Sequence, residues 1–518
     1  MKKNYLLWLI FVLALVVRFY SFSDSIYFGF DEARDALVAQ DIYLKGDLKF
    51  IGPPATGNIG LFHGPLFWYI IGPIYLLFKG NPEAVSVVFR VINAGGVFLI
   101  FAIGSNLFSP FSGLMAALLF AVSFEETQYA MYVGNPSLGV LTNLLIFWGA
   151  SQIYKKGGNV KLGIWIILTA AAVGTQLNLM FAFSFVTALI LLVLLRKKIV
   201  GVSKMFWLTN IGAVLLILST YIAVEFKYGF RSIRTALSLI TGGFGIMSPG
   251  ESKYSLYWGK FLNMFRDNII GLSTDIVWQR LLIAFVAITF TVWIAVSAIR
   301  DRRYAILLVW LMSWFGIMLV GGHMAYYTNV GIGISILIGV AIILERIGFK
   351  SLLFWIVLSG IIISNILLAY GRREKGLIQA IKPQPYMNLI DEKKIVEEMY
   401  TEAAGRGFTL RLTGIPYKIQ TVWYYLLNEY GYKKYGYFPY WEHGNISGYP
   451  GELPTPTHGT TCLRFLVREP MTGLPVSLVE LDEKEENYFS KVVERKEIGL
   501  FTIEERYSIA KDCHNDRP

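Results

Sequence analysis

The chain has 518 residues, of which 55% are hydrophobic, 15% aromatic and only 16% charged, with a formal net charge of +11 and a mean hydropathy of +0.51. Soluble domains carry about 25% charged residues, so this deficit excludes disordered, collagen-like and ordinary cytosolic chains and reads as a polytopic membrane protein. Residues 1–370 hold 27 Lys and Arg against 15 Asp and Glu, and residues 371–518 hold 20 against 21, so the basic excess belongs to loops beside a membrane and no nucleic-acid partner is expected.

Lys2 and Lys3 precede an apolar run over 5–22 with no small-x-small cleavage pattern, which reads as an uncleaved first span. Further apolar runs lie near 84–107, 112–124, 137–154, 162–176, 179–195, 206–224, 280–299, 304–320, 326–344 and 351–370. The segment 64–78 would reach only about 22 Å as a helix, short of the hydrocarbon core, and carries Pro65 and Gly72-Pro73. If it does not cross, the loops holding Lys155, Lys156, Lys161, Arg196, Lys197, Lys198, Lys204, Arg300, Arg302, Arg303, Arg346 and Lys350 fall on the side of Lys2 and Lys3. The positive-inside rule then favours eleven spans, with 64–78 a surface or partly inserted helix. Residues 23–83, 125–136, 225–279, 321–325 and the tail face outside. Loops this long are usually functional, so the chemistry is expected there.

The first outer loop contains Phe30-Asp31-Glu32-Ala33-Arg34-Asp35-Ala36-Leu37. Small or apolar residues at 33, 36, 37, 40 and 44 fit a short helix stopped by Gly46, with Asp31 at its N-cap and Glu32 in its first turn. Capping alone accounts for two acids at a helix start.

An apolar first span ending in Arg18-Phe19, then Phe30-Asp31-Glu32-Ala33, a short helix and Gly46-Asp47, resembles the start of superfamily C membrane glycosyltransferases. The likeness is to the branch of protein O-mannosyltransferases and lipid A aminoarabinose transferases. It continues through Phe62-His63-Gly64-Pro65-Leu66-Phe67-Trp68-Tyr69 and Glu83 with Arg90-Val91-Ile92-Asn93. The resemblance implies transfer of a sugar from a polyprenyl-phosphate donor to a lipid, glycan or protein acceptor at the outer face of a cell membrane. It makes Asp31 the general base and Glu32 an orienting or metal-adjacent partner. His63 then binds phosphate or acceptor, or is an interfacial polar residue; Arg90 binds phosphate or is structural. Trp68 and Tyr69 read as interfacial belt residues.

Where the family often has an acid before the fourth span this chain has Asn135, with Glu125 and Glu126 ten residues earlier. Dependence on a divalent metal is therefore open, no other cofactor is implied, and the two glutamates read as a solvated turn. In the second long loop Lys227, Arg231 and Arg234 either hold the donor phosphate or form an amphipathic helix meeting lipid head groups, and Gly242-Gly243-Phe244-Gly245 suggests a flexible stretch. Gly321-Gly322-His323-Met324-Ala325-Tyr326-Tyr327 sits in a short outer turn, where His323 and Tyr327 face the catalytic loop if the resemblance holds and are surface residues otherwise. Gln176 and Asn178 read as satisfying backbone groups.

After Arg372-Arg373-Glu374-Lys375 the composition becomes that of a soluble domain, with a helix over 391–404, an alternating strand over 409–413 and a helix over 421–430. Its Tyr435, Tyr437, Tyr440 and Trp441 read as packing residues. Cys462 and Cys513 would pair if the tail is extracytoplasmic, or are free thiols. The expected architecture is an all-α polytopic membrane domain over 1–370, with about eleven transmembrane helices and juxtamembrane helices in the first outer loop. An extracytoplasmic soluble α/β or α+β domain over 371–518 follows it. Rival readings are a secondary transporter, against which stands the lack of mid-span charge or internal repeat, and a non-catalytic envelope-assembly protein.

Overall fold

A computed structural model describes residues 2–55, 60–242, 253–319, 329–371, 384, 386–442, 446–451, 453, 457–470 and 474–517. The described part of every apolar run carries helix: α1 (Lys2–Phe19), then α2 (Phe30–Leu44) and α3 (Leu66–Leu77) in the first long loop, then α4 (Pro82–Leu107) and α5 (Pro110–Val122). The chain goes on through α6 (Phe124–Met131), α7 (Gly139–Tyr154), α8 (Val160–Leu177), α9 (Phe183–Leu194), the single turn α10 (Arg196–Ile199), α11 (Lys204–Ile217), α12 (Ser219–Lys227), α13 (Arg231–Gly242) and α14 (Lys253–Phe265). It closes with α15 (Val277–Arg300), α16 (Arg302–Leu311), α17 (Trp314–Leu319), α18 (Ile334–Ile347) and α19 (Leu352–Gly371).

Among the described residues four helices, α4, α8, α15 and α19, are long and apolar enough to cross a membrane, and α11 with α12 makes a fifth if that pair, bent by 61°, is one span. The run over 112–124 ends at a polar cap: Ser123 ends α5 and its hydroxyl accepts from the Glu126 N–H at 3.2 Å to start α6. Exposed Leu281, Phe285, Ile288, Val292, Val296 and Ile299 make a helical stripe along α15, the outward apolar face of a helix in lipid. The protein is an integral membrane protein.

Small residues set the helix crossings. A Cβ on Gly149 of α7 would lie 2.7 Å from the Gly163 carbonyl oxygen of α8, so both backbones touch where only glycine fits. Arg18, fully buried at the end of α1, donates from Nε to Asn93 of α4 at 2.7 Å and from Nη1 and Nη2 to the Ala121 and Phe120 carbonyls at 2.9 and 3.2 Å. The Glu125 and Glu126 side chains are buried, contrary to the solvated turn read from their polarity. Asn268 donates to Glu125, and the same asparagine accepts from Ser123 at 2.9 Å.

The C-terminal residues build α20 (Leu389–Ala403), β1 (Phe408–Thr413), α21 (Thr421–Leu426), α22 (Lys433–Tyr435), β2 (Tyr440–Trp441), β3 (Leu463–Arg468), α23 (Val476–Phe489), β4 (Ser490–Ile498) and β5 (Phe501–Ser508). The sheet runs β2-β1-β3-β5-β4, parallel across the first three and antiparallel at β3–β5 and β5–β4. The alternation of β1 predicts one wet face, yet both faces are buried. The polar face meets acids of α23: Arg411 and Thr413 donate to Asp482 at 3.2 and 2.9 Å, and Arg464 to Glu486 at 2.8 Å. Tyr435 and Tyr437 pack on Tyr400 within this unit. Cys462 and Cys513 form a disulfide. The composition break over 372–375 lies outside the described residues.

This unit sits on the first long loop. Tyr27 and Asn388 form an antiparallel bridge, Phe28 donates to the Met387 carbonyl and Leu389 to that of Ile26, both at 2.9 Å, and Lys393 pairs with Glu83 at 2.5 Å. The loop and the C-terminal unit therefore share one face of the molecule.

Candidate active site

Helix α2 starts two residues earlier than its sequence suggests. Gly29 is the N-cap, and the buried Glu32 carboxylate reaches back to accept the Gly29 N–H at 3.1 Å, as a residue at the third helical position does. Asp31 is thus inside the first turn and not the cap. Gly46, at φ +68, ends the helix as predicted.

The alanine-rich faces of α2 let neighbours close in on both sides. A Cβ on Gly72 of α3 would fall 2.7 Å from the Ala39 carbonyl oxygen. On the other side Tyr425 of α21 packs against Phe28, its ring 5.2 Å away, and its hydroxyl donates to the Gly80 carbonyl at 2.6 Å. A Cβ on Gly448 would lie 3.0 Å from the Arg34 carbonyl oxygen.

Between these walls lies a charged cluster that sequence reading only partly isolates. Asp31 is half exposed at 51%, and Arg34 Nη1 donates to it at 2.9 Å. Nε and Nη2 of the same guanidinium donate to Asp35 Oδ1 at 2.9 and 2.7 Å. Asp35 is buried, and the Trp68 indole N–H donates to that same oxygen at 2.9 Å. Trp68 is therefore buried inside the cluster instead of lying in an interfacial belt. Burial pushes the Asp35 carboxyl up, while Arg34 and the Trp68 hydrogen bond hold it down. Arg34 and Asp35 are the residues sequence reading passed over, and Trp68 the one it gave another role; the i, i+3 spacing of Asp31 and Arg34 is the local signal for the cluster.

His63 is buried and accepts the Leu179 N–H at Nδ1, 3.0 Å away. Burial first, and the nearby Arg34 charge second, lower it to about 4, against a partial opposing effect of Asp31. At neutral pH it is an uncharged imidazole, a polar wall group and not a phosphate cation.

His63 also lines a cavity of about 490 Å³, within the size range of small-molecule sites. Phe50, Ile51, Leu61 and Phe62 form one wall, Leu179, Ala182 and Phe185 another, and Leu215, Leu218, Tyr221, Ile222 and Phe226 at the α11–α12 bend a third. Phe230, Ser232 and Ile233 close it from the start of α13. Gln176 and Asn178 do satisfy backbone groups here: Gln176 donates to the Ile217 carbonyl at 2.7 Å, and Asn178 accepts from the Met180 N–H at 3.0 Å.

The remaining predicted site residues divide. Arg231 does not itself line the cavity, but its chain neighbours Phe230 and Ser232 do, and its Nε is 3.1 Å from where a Cβ on Gly60 would stand. Arg234 donates to the Gly229 carbonyl, and Lys227 lies over the Tyr228 ring at 5.4 Å. Arg90 is fully buried, away from the cavity, and donates to the Arg18 carbonyl at 2.6 Å and to Ser25 Oγ at 3.1 Å. Burial among protein acceptors, not snorkelling to the surface, fixes that guanidinium. His323, Tyr327 and Gly243 to Gly245 lie outside the described residues. Among the described residues no group of three or more His, Cys, Asp or Glu is arranged to hold a metal ion.

The same loop meets the C-terminal unit at Glu392, fully buried on the first turn of α20 with neither carboxylate oxygen hydrogen-bonded among the described residues. Burial, then the charges of Glu469, Glu32 and Asp391, push it well above the usual carboxylate range. A folded value above the unfolded one removes stability as pH rises past the unfolded value near 4.5. Glu392→Gln, which mimics the protonated form, is therefore expected to raise the thermal unfolding midpoint at pH 8 and to leave it unchanged near pH 4.

No protein family model and no curated protein sequence matches this chain. Among solved structures it is similar to ArnT from Cupriavidus metallidurans in the apo state, at 11% identity over 98% of each chain with a TM-score of 0.61. It is also similar to that ArnT bound to undecaprenyl phosphate, at 11% identity over 96% of this chain and 97% of that one, TM-score 0.56. A further likeness, to the arabinofuranosyltransferase AftD from Mycobacteria, has 14% identity and a TM-score of 0.50 and covers 99% of this chain but 40% of AftD. At such identities the likeness is one of fold.

Proposed function

We propose that this protein is a membrane glycosyltransferase that moves a sugar from a polyprenyl-phosphate donor to a hydroxyl acceptor at the outer face, with Asp31 as general base. The observation that carries the reading is an accessible carboxylate in a buried charge cluster, whose charge reaches His63 at the wall of an apolar cavity. Undecaprenyl phosphate is a ligand of the similar ArnT, and the cavity's aromatic and aliphatic lining suits a prenyl chain. The acceptor oxygen attacks the anomeric carbon and the bond from that carbon to the phosphate oxygen breaks. The polyprenyl phosphate leaves with the electron pair, and the acceptor proton passes to Asp31. A carboxylate paired with arginine is a weak base, which suffices because the hydroxyl becomes acidic only as its bond to carbon forms. Arg231, set in the chain between the cavity-lining Phe230 and Ser232, is the basic residue to meet the phosphate in this reading. Glu32 holds the start of α2.

The 371–518 segment forms a soluble domain on the outer side in this reading. The disulfide in it supports that side, because such bonds persist in oxidising compartments.

The test is to incubate the purified protein in lipid nanodiscs with a panel of polyprenyl-phosphate sugars and follow release of polyprenyl phosphate. Turnover with at least one donor is expected. Silence across the panel, with donor binding intact, would favour the non-catalytic reading.

A further inference from the structure

We propose that Asp35, anchored by the Trp68 indole, is a positioning residue for the transfer reaction: it shares the Arg34 guanidinium with Asp31 and so sets both the place and the basicity of the base. The inference rests on the reading of Asp31 as that base. Three donors converge on one oxygen of Asp35, two from Arg34 and one from Trp68 of α3. The third arm of the guanidinium, Nη1, reaches outward to Asp31. Arg34 is also stacked over the Phe30 ring at 5.4 Å, so its plane is held from below as well as from the side. The half-exposed base is thereby tied, through a cation, to a buried anion and to a second helix. An arginine fork between two carboxylates is rigid where a single exposed ion pair is not.

The charge arithmetic gives the arrangement a chemical role. With Asp35 anionic, the Arg34 charge is divided between two acids. With Asp35 neutral, the whole charge faces Asp31, which then gives up its proton more readily and accepts one less well. The other titratable groups facing the cluster are Glu32 on α2, whose charge reaches Arg34, Tyr75 on α3, which feels Asp35, and His63 from the loop. None of them donates to Asp35 in place of Trp68.

The experiment compares Asp35→Asn, Asp35→Glu, Trp68→Phe and Asp31→Asn by pH–rate profile with the donor that the wild type turns over. Asp35→Asn is expected to lower kcat about 10- to 100-fold, to leave the donor KM within about twofold and to move the acid limb down by about one pH unit. Trp68→Phe keeps the packing but removes the indole donor, so Asp35 takes a proton more easily and the limb moves the same way by less. Asp35→Glu restores part of the rate. A loss of kcat in both Asp35→Asn and Trp68→Phe with the limb unmoved would mark a merely structural role and overturn the proposal, as would wild-type profiles. An active Asp31→Asn would remove the base itself. An inactive Asp31→Asn beside an unshifted Asp35→Asn would overturn the positioning role alone. If Asp35→Asn does not fold, Trp68→Phe decides.

Discussion

Asp31→Asn is expected to lower the rate of sugar transfer by about 10²- to 10⁴-fold, the range that a well-placed general base contributes. Asparagine keeps the size and a hydrogen-bonding oxygen for Arg34 but cannot take the acceptor proton. Because the side chain is half exposed and its ion pair lies at the rim of the cluster, stability should barely change; such pairs contribute at most about 1 kcal/mol. The donor KM should stay near the wild-type value, since the lost interaction forms only as the acceptor attacks. Polyprenyl phosphate release measured in parallel with thermal unfolding checks both parts. Undiminished release in a folded variant would remove Asp31 from the chemistry.

Arg18→Ala is expected to have the largest effect on stability, about 3–5 kcal/mol, as for removal of one partner from a buried charged network. The substitution strips the donor from Asn93 and from two α5 carbonyls, each a buried acceptor left without its bond. It also removes the cation whose charge is felt with that of Glu126. Arg18→Lys keeps the charge but not the fork, so an intermediate loss is expected. Intrinsic-fluorescence melts in nanodiscs should rank wild type above Lys and Lys above Ala. A midpoint for Arg18→Ala within about two degrees of wild type would show that water or neighbouring side chains satisfy those acceptors.

How far the sequence carries can be seen residue by residue. The period of small residues places α2 and brings Glu32 to its first turn, though it sets the cap two residues late at Asp31, and the short Pro-broken segment is α3, because these are local properties. The partner of Asp35 is not local: Trp68 is 33 residues away and meets it only after α3 folds back along α2. Glu125 and Glu126 look hydrophilic in sequence, yet both are buried, and the partner of Glu125 is Asn268, 143 residues on. His63 shows a polar residue in sequence, but its neutrality comes from packing that no spacing reveals. In the C-terminal unit the alternation in β1 is real, yet α23 supplies acids to cover the face that alternation would leave wet.

The roof over α2 has a consequence for biogenesis. Tyr425 closes on Gly80 across 345 residues of sequence, which at roughly 5–20 residues per second takes on the order of 20–70 s to synthesise. Through that interval the helix bearing Asp31 has emerged without its cover, so a ribosome-bound chain has only half of the proposed site. Turnover would therefore report a fully translated polypeptide, and nascent chains arrested upstream of residue 400 should be catalytically silent even with every earlier segment inserted.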